Sequence, residues 1–216
     1  MDAFLTDVIR KIRTVRGCEN AFIAGGAVRD DKEKNVFNDI DVFIPFSMSD
    51  GRSRASLAND IQFSLGSTNF ENLRNNRGES YPNDLLKTEV YKTSLLGVSI
   101  DVIFVNDTKK GPQKSFINRV LKTFNFGINM IANDGQQEFI TEEFEKDFRS
   151  RFCTLKNLDS MDDVPKMIMK LNRVCLKLGL IPNLTEVLFL KDQDEKTSKK
   201  SNTRSKSPKV VATDEF

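Results

Sequence analysis

The 216-residue sequence contains no histidine and no tryptophan. Without histidine, Ser-His-Asp and Cys-His catalytic groups, imidazole zinc sites and histidine general bases are all excluded. The three cysteines are far apart, so we expect no disulfide scaffold and a reducing, cytoplasmic location. The N-terminus is too charged for a signal peptide, and no run approaches the roughly 20 apolar residues that span a bilayer, so no membrane contact is expected.

Charge and hydrophobicity are otherwise unremarkable along most of the chain. The sequence has 33 Lys and Arg against 31 Asp and Glu, and 38% of its residues are hydrophobic, which is typical of a globular domain. The segment from Lys196 to Lys209 differs, because its six basic residues are accompanied by no acid and no large apolar side chain. We interpret this segment either as a solvated tail or as an electrostatic tether for RNA or DNA phosphates.

Hydrophobic periodicity predicts an α+β protein with strands in its first two thirds and helices in its last third. The predicted strands are 21–24, 39–44 (ended by Pro45), about 69–73, 86–93 and 98–105. The predicted helices are 2–16, one turn at 27–31, 54–65, one starting at Pro112, 141–151 (capped by Thr141), 164–178 and 184–190. This pattern suggests a head domain (1–135), a short helical neck (136–192) and a basic disordered tail (193–216).

Three carboxylates stand in strands that otherwise read as buried. Asp39 and Asp41 are two residues apart, so their side chains project from one face of a strand, and Asp101 lies in the later strand. An acid in such a place is costly unless it is paired or binds a metal. If the two strands are adjacent, the carboxylates converge, and oxygen ligands of this kind favour Mg²⁺ or Mn²⁺.

A glycine pair, Gly25-Gly26, follows the first short strand directly. Glycine lets the backbone approach a ligand closely, and the helical turn that follows would direct N–H groups toward an anion. A glycine pair alone is often only a turn. Phosphate-binding groups beside a two-metal carboxylate cluster, however, are what phosphoryl transfer from a nucleoside triphosphate requires.

The runs AFIAGGAVRD, DIDVFI and SIDVIFV resemble the head domain of the polymerase-beta-like nucleotidyltransferase superfamily. The resemblance is strongest to bacterial poly(A) polymerases and class II CCA-adding enzymes, which have a Gly-Gly-x-Val-Arg-Asp element, an Asp-x-Asp strand and a later third acid. FNFGINMIAND (124–134) is loosely similar to the family's Arg-Arg-Asp-Phe-Thr-Ile-Asn-Ala segment. PKMIMKLNRVCLKLGL (165–180) is loosely similar to its neck helix. The likeness covers roughly residues 20–182.

The sequence also departs from the family pattern. Thr123, Phe124 and Asn125 stand where the family has Arg-Arg-Asp, which removes charges near the nucleotide. The Glu-Asp-x-x-Arg element that reads the incoming base is altered in either possible alignment: Asp163, Val164 and Met167, or Asp162, Asp163 and Lys166. Because the chain stops soon after the neck-like helix, we do not expect a self-sufficient CCA-adding enzyme.

The resemblance implies a role for each matching residue. Asp39, Asp41 and Asp101 would be the catalytic metal ligands for two Mg²⁺ or Mn²⁺ ions, and the substrate would be an NTP, with ATP favoured. Gly25 and Gly26 would cradle the phosphates. Four further residues belong to the predicted nucleotide-binding region: Arg29 and Asp30, expected as a buried ion pair that shapes the glycine loop; Asn129, at the ribose or pinning a backbone turn; and Arg173, at the base or phosphates or simply on the helix surface.

These features predict a metal-dependent nucleotidyltransferase that transfers NMP from an NTP to a hydroxyl, with an RNA 3′ end as the favoured acceptor. A second hypothesis keeps the chemistry but uses a protein or small-molecule acceptor, as in toxin-like relatives. A third hypothesis is a catalytically inactive head that acts as a nucleic-acid-binding module. The presence of all three acids argues against the third hypothesis.

Overall fold

The computed structural model describes residues 1–46, 51–67, 71–72, 88–106, 111–156 and 164–185. The strands are β1 (Phe22–Ala24), β2 (Asp39–Phe46), β3 (Glu71–Asn72), β4 (Thr88–Leu95), β5 (Val98–Asn106), β6 (Ile131–Asn133), β7 (Glu138–Ile140), β8 (Phe152–Thr154) and β9 (Ile181–Asn183). The helices are α1 (Ala3–Arg13), α2 (Gly26–Lys32), α3 (Arg54–Leu65), α4 (Gln113–Leu121), α5 (Glu142–Ser150) and α6 (Val164–Leu178), with a 3₁₀ turn at Gly127–Asn129.

One mixed sheet forms the centre of the protein, with strand order β3-β4-β5-β2-β1-β6-β7. Strands β2 and β5 are parallel, and the other neighbouring pairs are antiparallel. Helices and strands are therefore combined in one α+β domain core, and the predicted fold class is confirmed.

The two faces of the sheet are covered by different helices. Arg54 at the start of α3 lies 4.6 Å from the ring centre of Phe46 and forms an ion pair with Glu89, so α3 packs on the face that also bears buried Ile44. On the opposite face the ring of Phe22 lies 6.0 Å from that of Phe116 in α4. Because β2 and β5 have neighbours on both sides, most of their apolar side chains are buried between these layers.

Strand β2 continues through Pro45, so the prediction that this proline ends the strand was wrong. Pro45 pairs with Val105 in the parallel ladder with β5. On the other side, the ladder with β1 ends at Phe43, which pairs with Phe22. Among the described residues, Pro45 therefore has no strand neighbour on that side of β2, and a residue without an N–H is tolerated there.

Several helices begin or end at residues that commonly cap helices. The helix predicted for 54–65 is α3, with Ser53 as its cap, and Thr141 caps α5 by accepting a hydrogen bond from the N–H of Phe144 at 3.2 Å. Helix α6 ends at Leu178, and Gly179 follows with φ = +60°. That left-handed conformation favours glycine, as expected at a helix end.

The last third of the described chain is less purely helical than predicted. Two three-residue strands, β8 and β9, pair in parallel and flank α6 in the sequence. Strands this short contain too few residues to display an alternating pattern. The tail (193–216), with its possible tether Lys196–Lys209, lies outside the described residues, as do most of the predicted helix 184–190 and the acidic positions 162 and 163.

Candidate active site

The register of the central strands brings the three predicted carboxylates to one face of the sheet. Asp41 pairs directly with Asp101 across the parallel β2–β5 ladder, and Asp39 pairs with Ser99. Residues directly opposite each other in a ladder project to the same side. The expected adjacency of the two strands is therefore confirmed. Asp39 is exposed, and Asp41 and Asp101 are half-buried.

A lysine that the sequence analysis did not single out faces this carboxylate group. Lys92 pairs with Asp101 across the β4–β5 hairpin, and its Nζ lies 3.5 Å from Asp101 Oδ1. The two-residue turn Leu96-Gly97, with φ = +54° and +83°, fixes this register. Recognising the hairpin turn from Gly97 would have placed Lys92 opposite Asp101 by counting outward along the two strands.

The glycine bend lies directly beside the carboxylates. Gly25 has φ = +83°, and its N–H donates a hydrogen bond to the carbonyl of Ile131 at 2.9 Å. A Cβ atom on Gly25 would lie 3.8 Å from Asp41 Oδ2 and 3.2 Å from the ring of Phe124. A side chain would therefore crowd this space, and the bare backbone leaves it open next to Asp41. Phosphate binding by Gly25 and Gly26 remains a prediction.

Arg29 and Asp30 form the ion pair expected from the sequence. They are 4% and 3% exposed, and the Arg29 Nε and Nη2 groups donate to Asp30 Oδ1 at 2.8 and 2.6 Å. Arg29 Nη1 donates to Asn129 Oδ1 at 2.5 Å, and Lys177 Nζ donates to Asp30 Oδ2 at 2.5 Å. These four residues, named here the Asp30 network, connect α2 to the 3₁₀ turn and to α6.

The contacts within the Asp30 network affect which roles its residues can have at the candidate site. In this structure the side-chain groups of Arg29, Asp30 and Asn129 named above bond to one another. Asn129 accepts from the side chain of Arg29, and the two roles left open for it, at the ribose or pinning a backbone turn, remain predictions. Direct contact of these residues with a nucleotide remains a prediction.

Arg173 lies exposed on α6, four residues before Lys177. Residues four apart share one face of a helix, so Arg173 is on the face whose last cation reaches Asp30. Its predicted contact with the base or the phosphates also remains a prediction.

Asp147 is a buried acid that the sequence analysis missed. It is 2% exposed, and its carboxylate accepts hydrogen bonds from the N–H and hydroxyl of Thr154 at 2.8 and 2.6 Å. Burial raises the pKa of Asp147 above the ordinary aspartate value, against the effect of these hydrogen bonds. A Cβ on Gly127 would lie 2.5 Å from Asp147 Oδ2. Asp147 thus holds β8 close to the turn that bears Asn129.

The cysteines offer no nucleophile. Cys18, Cys153 and Cys175 are all buried and form no disulfide. Burial raises the pKa of the Cys18 thiol to about 12, so its reactive thiolate form is rare near neutral pH. Chemistry at the site must therefore use oxygen and nitrogen groups.

As the side chains stand, the described residues contain no group of three or more His, Cys, Asp or Glu placed to hold a metal ion. Asp101, which would complete a three-carboxylate group with Asp39 and Asp41, is in contact with Lys92 instead. Within the same described ranges, no helix is long and apolar enough to cross a membrane.

Comparison with known proteins gives matches to solved structures but none to protein-family models or curated sequences. No protein-family model matches the sequence, and a search of curated proteins found no match either. A solved CCA-adding enzyme with ATP aligns with 93% of this chain and 45% of its own, at 18% identity and a TM-score of 0.63. The chain has a nucleotidyltransferase fold. That confirms the family resemblance at the level of fold.

Two other solved structures support the same conclusion. An apo tRNA-processing enzyme aligns with 90% of this chain and 48% of its own, at 15% identity and a TM-score of 0.60. The Thermotoga maritima CCA-adding enzyme complexed with tRNA aligns with 91% and 43%, at 17% identity and a TM-score of 0.59. The chain therefore spans less than half the length of each of these structures.

Proposed function

We propose that the protein is a metal-dependent nucleotidyltransferase that transfers an NMP from an NTP, with ATP favoured, to the 3′-hydroxyl of an RNA. The observation that carries this proposal is the direct pairing of Asp41 with Asp101 beside the open backbone of Gly25. The fold shared with CCA-adding enzymes, solved with ATP and with tRNA, supports the same substrates. The free cysteines favour a cytoplasmic location.

The three carboxylates suit a divalent cation both in their chemistry and in their positions on β2 and β5. Asp39, Asp41 and Asp101 offer only carboxylate oxygens, which Mg²⁺ and Mn²⁺ prefer. In this structure Asp101 contacts Lys92, whose side chain is 46% exposed, and coordination by all three carboxylates would replace that contact. Two bound ions would neutralise the triphosphate and lower the pKa of the acceptor hydroxyl.

In the proposed reaction, the RNA 3′-hydroxyl gives up its proton to solvent, and its oxygen forms a bond to the α-phosphorus of the NTP. The bond from that phosphorus to the oxygen bridging to the β-phosphate breaks, and pyrophosphate leaves. Gly25 and Gly26 accommodate the outer phosphates, because a side chain at Gly25 would crowd the space near Asp41 Oδ2. Asp39, Asp41 and Asp101 would hold the cations, which would neutralise charge on the triphosphate and on the attacking hydroxyl.

The Asp30 network acts in this proposal by positioning. Arg29, Asp30 and Asn129 fix the helix that follows the glycine bend, and Lys177 ties it to α6. A rigid bend keeps the phosphate-binding backbone at a constant distance from the carboxylates, which favours the reactive geometry. Arg173 supplies positive charge on the same side of α6.

Labelled nucleotides test the activity and the acceptor together. The full chain is incubated with each α-³²P-labelled NTP, Mg²⁺ or Mn²⁺, and total RNA, beside the double variant Asp39→Ala/Asp41→Ala. Asp7→Ala, an acid on the outer surface of α1 that pairs with Lys11, serves as a matched control. We expect label on RNA with the wild type and the control, and none with the double variant.

The other outcomes separate the alternatives. Label on the protein or on an added small molecule, lost in the double variant, would replace RNA as the acceptor and keep the chemistry. No transfer with any nucleotide and either metal would contradict the enzymatic proposal and favour an inactive nucleic-acid-binding head.

A further inference from the structure

Helix α6 has an unusual distribution of charge. Its fifteen residues include four cations and no acid. The cations stand at intervals of four, three and four residues, which places them within one narrow face of an α-helix. All four are exposed. They are named here the basic stripe: Lys166, Lys170, Arg173 and Lys177.

Packing fixes the direction in which the basic stripe faces. The opposite side of α6 contains Leu171, Cys175 and Leu178, which are 0%, 5% and 5% exposed. Because this apolar side is held against the protein, the helix cannot rotate its cations inward. The stripe is therefore held in one orientation, with its four residues exposed and the Nζ of Lys177 reaching Asp30.

The stripe is not arranged as an ordinary solvated helix surface. Such surfaces usually alternate acids and bases so that residues four apart attract each other. Here Lys166 and Lys170, and likewise Arg173 and Lys177, are like-charged neighbours that repel. Within the described part of the chain, Lys166, Lys170 and Arg173 form no ion pair. An anionic partner would remove this repulsion.

The stripe also has a defined position relative to the candidate active site. Its last member, Lys177, lies 2.5 Å from Asp30, which belongs to the helix that begins at the glycine bend. From there to Lys166 the helix extends by about 16 Å, at a rise of roughly 1.5 Å per residue. One end of the stripe therefore contacts the helix that begins at the glycine bend.

We propose that the basic stripe binds the phosphate backbone of the single-stranded RNA whose 3′ end is the acceptor. This inference rests on the proposed function and adds to it the surface that holds the acceptor. A row of cations on one helix face attracts successive phosphates without reading their sequence. Met169 and Leu176, exposed by 70% and 85%, flank the stripe and offer apolar surface to unstacked bases.

Binding of a short RNA tests the proposal without any need for catalysis. The probe is a fluorescein-labelled single-stranded RNA of about 12 nucleotides, within the range that one binding module covers. It is titrated with the full chain in the absence of NTP, at several salt concentrations. The test variant is Lys166→Gln/Lys170→Gln/Arg173→Gln, which keeps Lys177 and its pairing with Asp30. Glutamine is a good helix former, so the fold is expected to persist.

We expect the stripe variant to bind the RNA about tenfold more weakly or worse. The slope of log K against log salt should become shallower by about 2, since each phosphate contact on a single strand contributes roughly 0.7. The matched control, Lys114→Gln/Lys122→Gln/Lys146→Gln, removes the same charge from α4, its C-terminal cap and α5. We expect the control to bind RNA nearly as tightly as the wild type.

Three results would overturn the proposal: unchanged affinity in the stripe variant, an equal loss in the control, or tighter binding of a DNA of the same sequence. Failure of the proposed function is a separate observation. Stripe-dependent RNA binding without NMP transfer would keep the binding surface and contradict the enzyme. NMP transfer to RNA with an unchanged KM for RNA in the stripe variant would keep the enzyme and overturn the stripe.

Discussion

The candidate active site and the Asp30 network place acids of the same type in opposite surroundings. Asp39 is exposed and Asp41 is half-buried on the sheet face that they share with Asp101, and Lys92 lies in ion-pair contact with Asp101. Asp30 is 3% exposed and is bound by two cations. A buried acid whose charge is paired in this way has a structural role. The acids of the candidate active site are exposed or half-buried, so a ligand can reach them from solvent.

The same comparison divides the short motif GGAVRD. Gly25 leaves open space beside Asp41, whereas Arg29 and Asp30, only four and five residues later, turn away into a buried ion pair. One motif therefore contains both the surface that would meet the substrate and the interior contacts that hold it in place. Substitutions in the two halves should differ in kind.

The largest expected effect is on the rate of the reaction at the candidate active site. Asp39→Asn/Asp41→Asn should lower the rate of NMP transfer about a thousandfold or more, because metal-assisted charge stabilisation is worth several kcal/mol. The Tm should change little, since neither residue is fully buried and asparagine keeps the size of the side chain and one of its oxygens. Rate and Tm are measured on the same preparation. A large fall in Tm would mean that these acids have a structural role instead.

The next effect concerns stability at the Asp30 network. Asp30→Ala leaves buried Arg29 without its carboxylate, and breaking such a pair costs about 3–5 kcal/mol. Urea denaturation measures the free energy of unfolding. Asp31→Ala is the matched control, because this neighbouring acid is more exposed and pairs at 3.9 Å with the N-terminus. Equal losses in both variants would contradict the assigned role of Asp30.

The two glycines of the bend allow a finer test. Gly25→Ala should cost about 1–3 kcal/mol, because φ is +83° there and the new Cβ would lie 3.2 Å from Phe124. Gly26→Ala should change stability little, since its Cβ would meet Arg29 at an ordinary 3.8 Å. The two free energies of unfolding are compared by urea denaturation. Equal costs would show that the bend does not require a glycine at position 25.

The smallest predicted effect belongs to Lys92. Lys92→Met removes the ammonium group that lies 3.5 Å from Asp101, so divalent cations no longer compete with it for the carboxylate. The pair is partly exposed, and such pairs are worth at most about 1 kcal/mol. Calorimetric titration with Mn²⁺ should therefore show a few-fold gain in affinity. Weaker binding would mean that Lys92 supports the metal site.

Local patterns predicted much of this architecture. The convergence of the carboxylates followed from the sequence on the condition that the strands of Asp41 and Asp101 are adjacent, and the helix at 54–65 followed from hydrophobic periodicity. The length of β2 did not follow, because the tolerance of Pro45 depends on where its neighbour β1 ends. That boundary is a property of the sheet and is absent from the local sequence.

Contacts between distant segments could not be predicted from periodicity. Arg29 and Asn129 are 100 residues apart, and Asp30 and Lys177 are 147 apart. Their pairing depends on the tertiary packing of α2, the 3₁₀ turn and α6. The family resemblance identified most of these positions, but a resemblance alone did not reveal that they contact one another.

Binding of Mn²⁺ to the full chain tests the central claim most directly. Electron paramagnetic resonance measures bound Mn²⁺ in the presence of a non-hydrolysable ATP analogue, for the wild type and for Asp41→Asn. The account predicts tight, nucleotide-dependent binding in the wild type and a loss of at least about tenfold in the variant, because one carboxylate ligand is gone. Equal binding of Mn²⁺ by the two proteins would contradict it.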